Sequence, residues 1–555
     1  MDIATTWVRA PEPKTGLDHL SAQAPCISVY AQLLPGITNV TDRARYYSLY
    51  PWLIWSFDKR FPNADAEEFE QIFRRTDCLL TLIAERHARI TDHDDERHGA
   101  KMVGRNTLVK VISQIEDGGS VRLSTYATRE EGNENRYFKN RLGGLGQYYA
   151  GTLQDLEILA PPKGNWIRYS LGHGEKLAEA VDASVNSNAF FAAVKKDKIT
   201  AEDLDGLTEF CPCNMPKSRK ERDFLLDLFF DRTGKYGATG QQRAKSLALL
   251  LHLTEQLSSE SDQDLDINTF RAAIYTGYLP GEKPWNVPAK LAETLQGWFL
   301  YQRNELLSVA VQGIFAVTLD LLAKAGVRPP NTTACAKWLC TTDAASRVLK
   351  SYRTRTFRQI TSEVSKQLPP LSAWSKDSHE LMLSRAILDG YKMVDREPQI
   401  TDHAEMLRHS LQLLVSLVAR DEESHPPYRH LTFQPGFLDD HPINLGTLRH
   451  CSMKQWQEFR ANEFLEWLCA HWGIDAHLRV ALRKLRSDPR PTFQVQPTEN
   501  GFEVVGVPPP VRTNPRFEQA AQILIDIGAL RRRGVDKRLT TTDLGQTLLG
   551  EIIGK

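Results

Sequence analysis

Residues 66–90 read AEEFEQIFRRTDCLLTLIAERHARI and place Phe69, Ile72, Phe73, Leu79, Leu80 and Ile83 on one face of a helix. A core-facing helix carries such a stripe and turns its charges to water. The same spacing recurs at 219–230, 241–257, 289–324 and 402–419. Strand-like alternation is rare, at 166–171 (WIRYSL), 491–496 (PTFQVQ) and 501–507 (GFEVVGV). The sequence therefore predicts a mainly α protein with small β elements.

Working outward, 555 residues suggest several domains. Lys plus Arg and Asp plus Glu both total 69, so no overall basic coat exists, although a local basic patch is compatible with that balance. No apolar run is read as reaching the ~18–20 residues that cross a bilayer. The start, MDIATTWVRAPEPKTG, lacks a basic segment followed by an apolar one. Eight cysteines in a chain of this length do not make a disulfide framework. The expectation is a cytoplasmic protein with no membrane partner.

Loop-rich breaks are expected at 91–104, 207–218, 258–268, 327–333, 368–378 and 508–515. They suggest serial segments 1–121, 122–182, 219–370, 371–490 and 491–555. Two stretches resemble one another, 153–181 (LQDLEILAPPKGNWIRYSLGHGEKLAEAV) and 523–552 (ILIDIGALRRRGVDKRLTTTDLGQTLLGEI). Each has a helix ending in Asp-Φ-x-x-Leu, at Asp155–Leu159 and Asp526–Leu530. Each then has a polar connection with Gly and basic residues, a short strand at 168–171 or 538–541, and Gly-x-x-Leu at Gly174 or Gly545.

Helix, β-wing and helix in this order resemble the back half of the winged helix-turn-helix family. That resemblance covers roughly 122–182 and the last ~50 residues, and gives the expected architecture: a mainly α, multi-domain protein with two small winged-helix modules. Winged helices bind DNA or protein. In a DNA-binding copy a recognition helix enters the major groove and the wing lies on phosphates or the minor groove. The first copy then offers Arg136, Lys139 and Arg141, with Gln147, Tyr148 and Tyr149 near its recognition helix, and a wing with Lys163, Asn165, Trp166 and Arg168. The second clusters Arg531, Arg532, Arg533, Lys537 and Arg538 around Gly534, where cations would replace counterions along DNA. The alternative is a set of solvated charges.

Residues 29–55, VYAQLLPGITNVTDRARYYSLYPWLIW, crowd aromatics against arginines. Pro35–Gly36 is a turn, Thr38 or Asn39 a helix cap, and Asp42 a first-turn acid. One reading is a helical core with Tyr hydroxyls bonded inside. The other is a partner-binding groove using Arg43, Tyr46 and Tyr50. The stretch GLDHLSAQAPCISVYAQLLPGITNVTDRARYYSLYPWL, through Gly16-Leu17-Asp18, Leu34–Thr41 and Arg45-Tyr46-Tyr47, resembles uncharacterised bacterial proteins encoded in phage-defence islands. That implies a component of a multi-gene bacterial system and supplies no mechanism.

His87, His93, Asp94, Asp95 and His98 sit in one charged stretch, and Cys211-x-Cys213 and Cys335-x4-Cys340 are two cysteine pairs. The histidines read as a charged loop. The cysteines lack the usual two-residue finger spacing, so no metal or cofactor is expected. No Walker loop, Gly-x-Ser-x-Gly elbow or His-Glu-x-x-His is present. The leading expectation is a non-enzymatic DNA-binding subunit working with other proteins of its operon, in a role such as anti-phage defence. The alternatives are a protein-interaction scaffold, similar to kleisin-type subunits that bridge structural-maintenance-of-chromosomes ATPases, and a hydrolase with a dispersed site.

Overall fold

The computed structural model describes residues 18–91, 94, 96–161, 167–260, 263–420, 431–486, 491–533 and 537–554. Most of them are helical, and the strands form two-stranded antiparallel sheets only. The chain is a mainly α, multi-domain protein with small helix-plus-hairpin modules.

It divides into two compact units that are interleaved in sequence. One unit takes residues 1–30, 268–286 and 295–513; the other takes 31–267, 287–294 and 514–555. Residues 122–182 and 514–555 lie in the same unit.

The unit holding residues 295–513 is built on the helix Ala292–Ala325, around which Leu306, Val309, Ile314, Phe315 and Leu319 join side chains from the helix His403–Ala419 in one core. This helix corrects the reading of the apolar runs. It is long and apolar enough to cross a bilayer, and 83% of its most apolar window is buried inside the protein, as in a core helix. Two hairpins belong to this unit, Tyr391–Val394 with Glu397–Ile400 and Val495–Thr498 with Gly501–Val504.

The other unit carries the helix Ala66–Ile90. Asp65 caps it by accepting from the Glu68 N–H at 2.8 Å, and Glu67 and Glu68 suit the positive end of its dipole. Its stripe buries Ile72, Phe73, Leu79, Leu80 and Ile83, as the spacing predicts. His87 lies in its last turn. The helix Tyr46–Arg60 packs along the helix His173–Asp182, and Trp52 Nε1 donates to Asp182 at 3.0 Å.

The two resembling stretches share a backbone frame in this unit. After the helix Ala150–Asp155 the Ile158 N–H returns to the Leu153 carbonyl at 2.9 Å; after the helix Phe517–Asp526 the Ala529 N–H returns to Leu524 at 2.8 Å. The residue between has positive φ in both, +55° at Glu157 and +82° at Gly528. The Ser170 hydroxyl donates to the Glu157 carbonyl at 2.6 Å, and the Thr542 hydroxyl to Gly528 at 2.7 Å. A Cβ on Gly174 would meet the Ile158 carbonyl oxygen at 2.1 Å, and one on Gly545 the Ala529 oxygen at 2.2 Å. Both glycines are therefore set by close backbone approach. The second copy has a full hairpin, Leu530–Arg533 with Arg538–Thr541, where the sequence predicts it. In the first, the pairing described is the single bridge Leu159–Tyr169.

Candidate functional site

Arg43 and Arg45 precede the aromatic helix, which starts at Tyr46 and not near Thr41. The capping expectation fails because Thr41 Oγ1 instead accepts from the Thr38 N–H at 2.8 Å. Asp42 accepts from Gln519 at 2.9 Å rather than serving a helix N-terminus.

Both arginines are buried and each holds a loop. The Arg43 guanidinium meets Asp526 through two nitrogens, at 3.0 and 2.9 Å. Its remaining N–H groups donate to the carbonyls of His98 (3.0 Å), Ala100 (2.6 Å) and Arg97 (3.3 Å). Arg45 pairs with Glu221 at 3.3 Å and donates to the carbonyls of Glu209 (2.6 Å) and Cys211 (2.5 Å). Paired charges make such burial tolerable, and each guanidinium is left with donors for backbone oxygens.

The loops so held, both read from sequence as breaks, meet. His98 Nδ1 lies 3.1 Å from Cys211 Sγ, and Cys213 Sγ lies 3.2 Å from His87 Nδ1. The imidazole rings are 4.9 Å apart and steeply inclined at 75°. One donor atom from each of His87, His98, Cys211 and Cys213 lies within 4.8 Å of all the others. His98 and Cys211 are buried, while His87 and Cys213 are half-buried. The neighbouring Cys211 thiol, aided by the two imidazoles against the effect of burial, pulls the Cys213 thiol down. Burial, and then the same pairing, push Cys211 up. Among the described residues this is the one group of three or more His, Cys, Asp or Glu whose donor atoms converge in this way. It recombines the histidines and one cysteine pair that sequence reasoning treated separately. Cys335 and Cys340 do not join it, since they lie on the helix Thr332–Thr341 of the other unit. His93 and Asp95 lie outside the described residues.

The partner-binding role expected for Arg43, Tyr46 and Tyr50 is corrected, because all three are buried. Tyr46 and Tyr50 stack at 4.9 Å, and both pack on Tyr149. Their hydroxyls end inside: Tyr46 accepts from the Val103 N–H at 3.1 Å, and Tyr50 donates to Asp77 at 2.9 Å. Tyr47 donates to the Gly36 carbonyl at 2.8 Å. Burial lifts Asp77 to about 7, opposed by its bonds from the Gly144 N–H and Tyr50. Tyr149, expected beside a recognition helix, belongs to this core, and Tyr148 and Gln147 bond to Tyr137 and to the Lys139 N–H.

The ten expected nucleic-acid contacts separate. Arg532 anchors its hairpin through Glu96 (2.5 Å) and Asp264 (3.2 Å). Arg141 pairs with Glu70 at 3.1 Å and Arg136 with Glu131 at 3.8 Å. Arg531, Arg533 and Lys537 are exposed on the second hairpin, and Arg538, opposite Arg533, is half-buried. Lys139 and Arg168 are exposed in the first copy. Lys163, with Asn165 and Trp166, lies outside the described residues, as does Gly534. No family model, curated protein or solved structure matches the chain.

Proposed function

We propose that this chain is a non-catalytic DNA-binding subunit of a bacterial multi-protein system, with the second hairpin resting on phosphates. The observation that carries the reading is the division of labour along Leu530–Arg533. Leu530 is buried, Arg532 is tied to two acids, and Arg531 and Arg533 stand exposed with Lys537. A cationic edge fixed by its own anchor needs little ordering on binding. The helix–hairpin–helix order and the winged-helix resemblance supply the groove geometry. The resemblance of the Gly16–Leu53 stretch to phage-defence-island proteins supports the multi-gene setting and a role in defence.

A protein-binding scaffold is the second reading. Its support is that Arg136, Arg141 and Arg532 are spent on acids of the same unit. A duplex-DNA titration of the full chain at several salt concentrations separates the two. The DNA reading expects affinity to fall steeply with salt. Changing Arg531, Arg533 and Lys537 to Ala then flattens the log–log slope by about 0.9 for each phosphate that is no longer neutralised. No binding at low salt supports the scaffold.

A further inference from the structure

We propose that His87, His98, Cys211 and Cys213 form a tetrahedral Zn2+ site. The donor set comes first. Two sulfurs and two imidazole nitrogens are a standard structural zinc set, and soft thiolates with imidazole favour zinc over magnesium, calcium or manganese. The spacing comes second. With Zn–S near 2.3 Å and Zn–N near 2.0–2.1 Å, tetrahedral ligands lie about 3.3–3.8 Å apart. Two sulfur–nitrogen distances are 3.1 and 3.2 Å, and all four donor atoms lie within 4.8 Å of one another, so an ion eases the two close pairs apart and draws the more distant donors inward.

The supports come third. Pro212 stands between the two cysteines, Cys211 is extended (φ −62°, ψ 137°), and a short 3-10 helix, Pro212–Lys217, begins at once. That turn lets cysteines one residue apart aim at one point. Arg43 holds the carbonyl of His98, and Arg45 holds that of Cys211. Such outer partners fix ligand orientation. Gly99 adds a packing constraint, because a Cβ there would overlap the Glu85 carboxylate at 1.8 Å.

Four protein ligands leave no open position for substrate, so the site is structural. It joins the end of the helix Ala66–Ile90 to the 207–217 segment, with each cysteine 113 or 126 residues from the histidine it meets.

The test uses the full chain, purified reduced and without added chelator or immobilised metal. Elemental analysis should find one zinc per chain. Replacing zinc with Co2+ should give the intense visible bands of a tetrahedral thiolate site. Chelation should lower the melting temperature, and Zn2+ but not Mg2+ should restore it. Cys213→Ser and His87→Ala should each lose the metal, while Cys335→Ser with Cys340→Ser should keep it. Where the ligand variants do not fold, the Co2+ spectrum of the unmutated chain still decides. Folded, reduced protein that takes up neither Zn2+ nor Co2+ overturns the proposal. So does a Cys211–Cys213 disulfide in freshly isolated protein, or full zinc content in folded Cys213→Ser.

Discussion

The two helix–hairpin–helix copies keep one backbone frame and put its shared acid to opposite uses. Asp155 and Asp526 occupy the same place, at the end of the helix before the positive-φ residue. Asp155 is exposed to water. Asp526 is buried, grips Arg43 and accepts from the Ala44 N–H at 2.9 Å. The frame is set by backbone bonds, by a hydroxyl after the strand and by a glycine with no room for a side chain. The acid's role is set by what packs on it. A repeated local pattern therefore predicts geometry better than it predicts interactions.

The largest effect tests this contrast directly. Asp526→Ala strands a buried guanidinium and should cost about 3–5 kcal/mol. Asp155→Ala, at the matching exposed position, should change stability by less than about 0.5 kcal/mol. Urea denaturation of both variants measures the difference, and equal losses would break the comparison.

The second test sets two buried carboxylates against each other. Asp526 has a cation; Asp77 has only neutral donors, and burial holds it near 7 against an ordinary 3.8. The unfolded chain releases that proton first. Folding stability contributed by Asp77 is therefore complete at pH below 3.8 and declines as pH rises toward 7, by at most about 1.4 kcal/mol per pH unit. Wild type should lose stability relative to Asp77→Asn across that window and run parallel to it above. A flat difference from pH 4 to 7 would show that Asp77 is ionised in the fold.

A third test asks whether the shared frame is real in energetic terms. Gly174→Ala and Gly545→Ala each force a Cβ onto a carbonyl oxygen and should each cost about 1–3 kcal/mol. A loss at only one of them would make the resemblance superficial. The smallest effect belongs to the hairpin. Arg531→Ala and Arg533→Ala remove exposed charges and should leave the urea midpoint almost unmoved. Arg532→Ala, which releases the anchor to Glu96 and Asp264, should shift it more.

The helical class was legible because a 3.6-residue stripe such as Phe69–Ile83 has few other uses. The second hairpin was legible because Gly and polar residues interrupt two short runs at a fixed offset. The aromatic stretch was ambiguous, since a groove and a core draw on the same side chains. What decides it is where each hydroxyl ends, at Gly36, Asp77 or Val103, and spacing does not carry that. Arg43 reads as a surface charge until a carboxylate 483 residues later is seen to neutralise it. The Cys/His cluster was missed for a similar reason. Its four side chains come in two local pairs, neither with finger spacing, and Cys335 and Cys340, which composition sets beside Cys211 and Cys213, lie on a helix of the other unit.

The Arg43–Asp526 pair also has a consequence for how the chain is made. Residue 43 leaves the ribosome 483 residues before its counter-ion. Until then the guanidinium that fixes the His98 carbonyl has no carboxylate, and burying it alone is costly. The unit containing both ends of this pair cannot close during early synthesis, because an interaction this distant in sequence must wait for the intervening chain. A chain released after residue 513, and so lacking Asp526, should therefore show the other unit folded while 31–267 stays open and protease-sensitive. Completion of the last few dozen residues becomes the event that seals it.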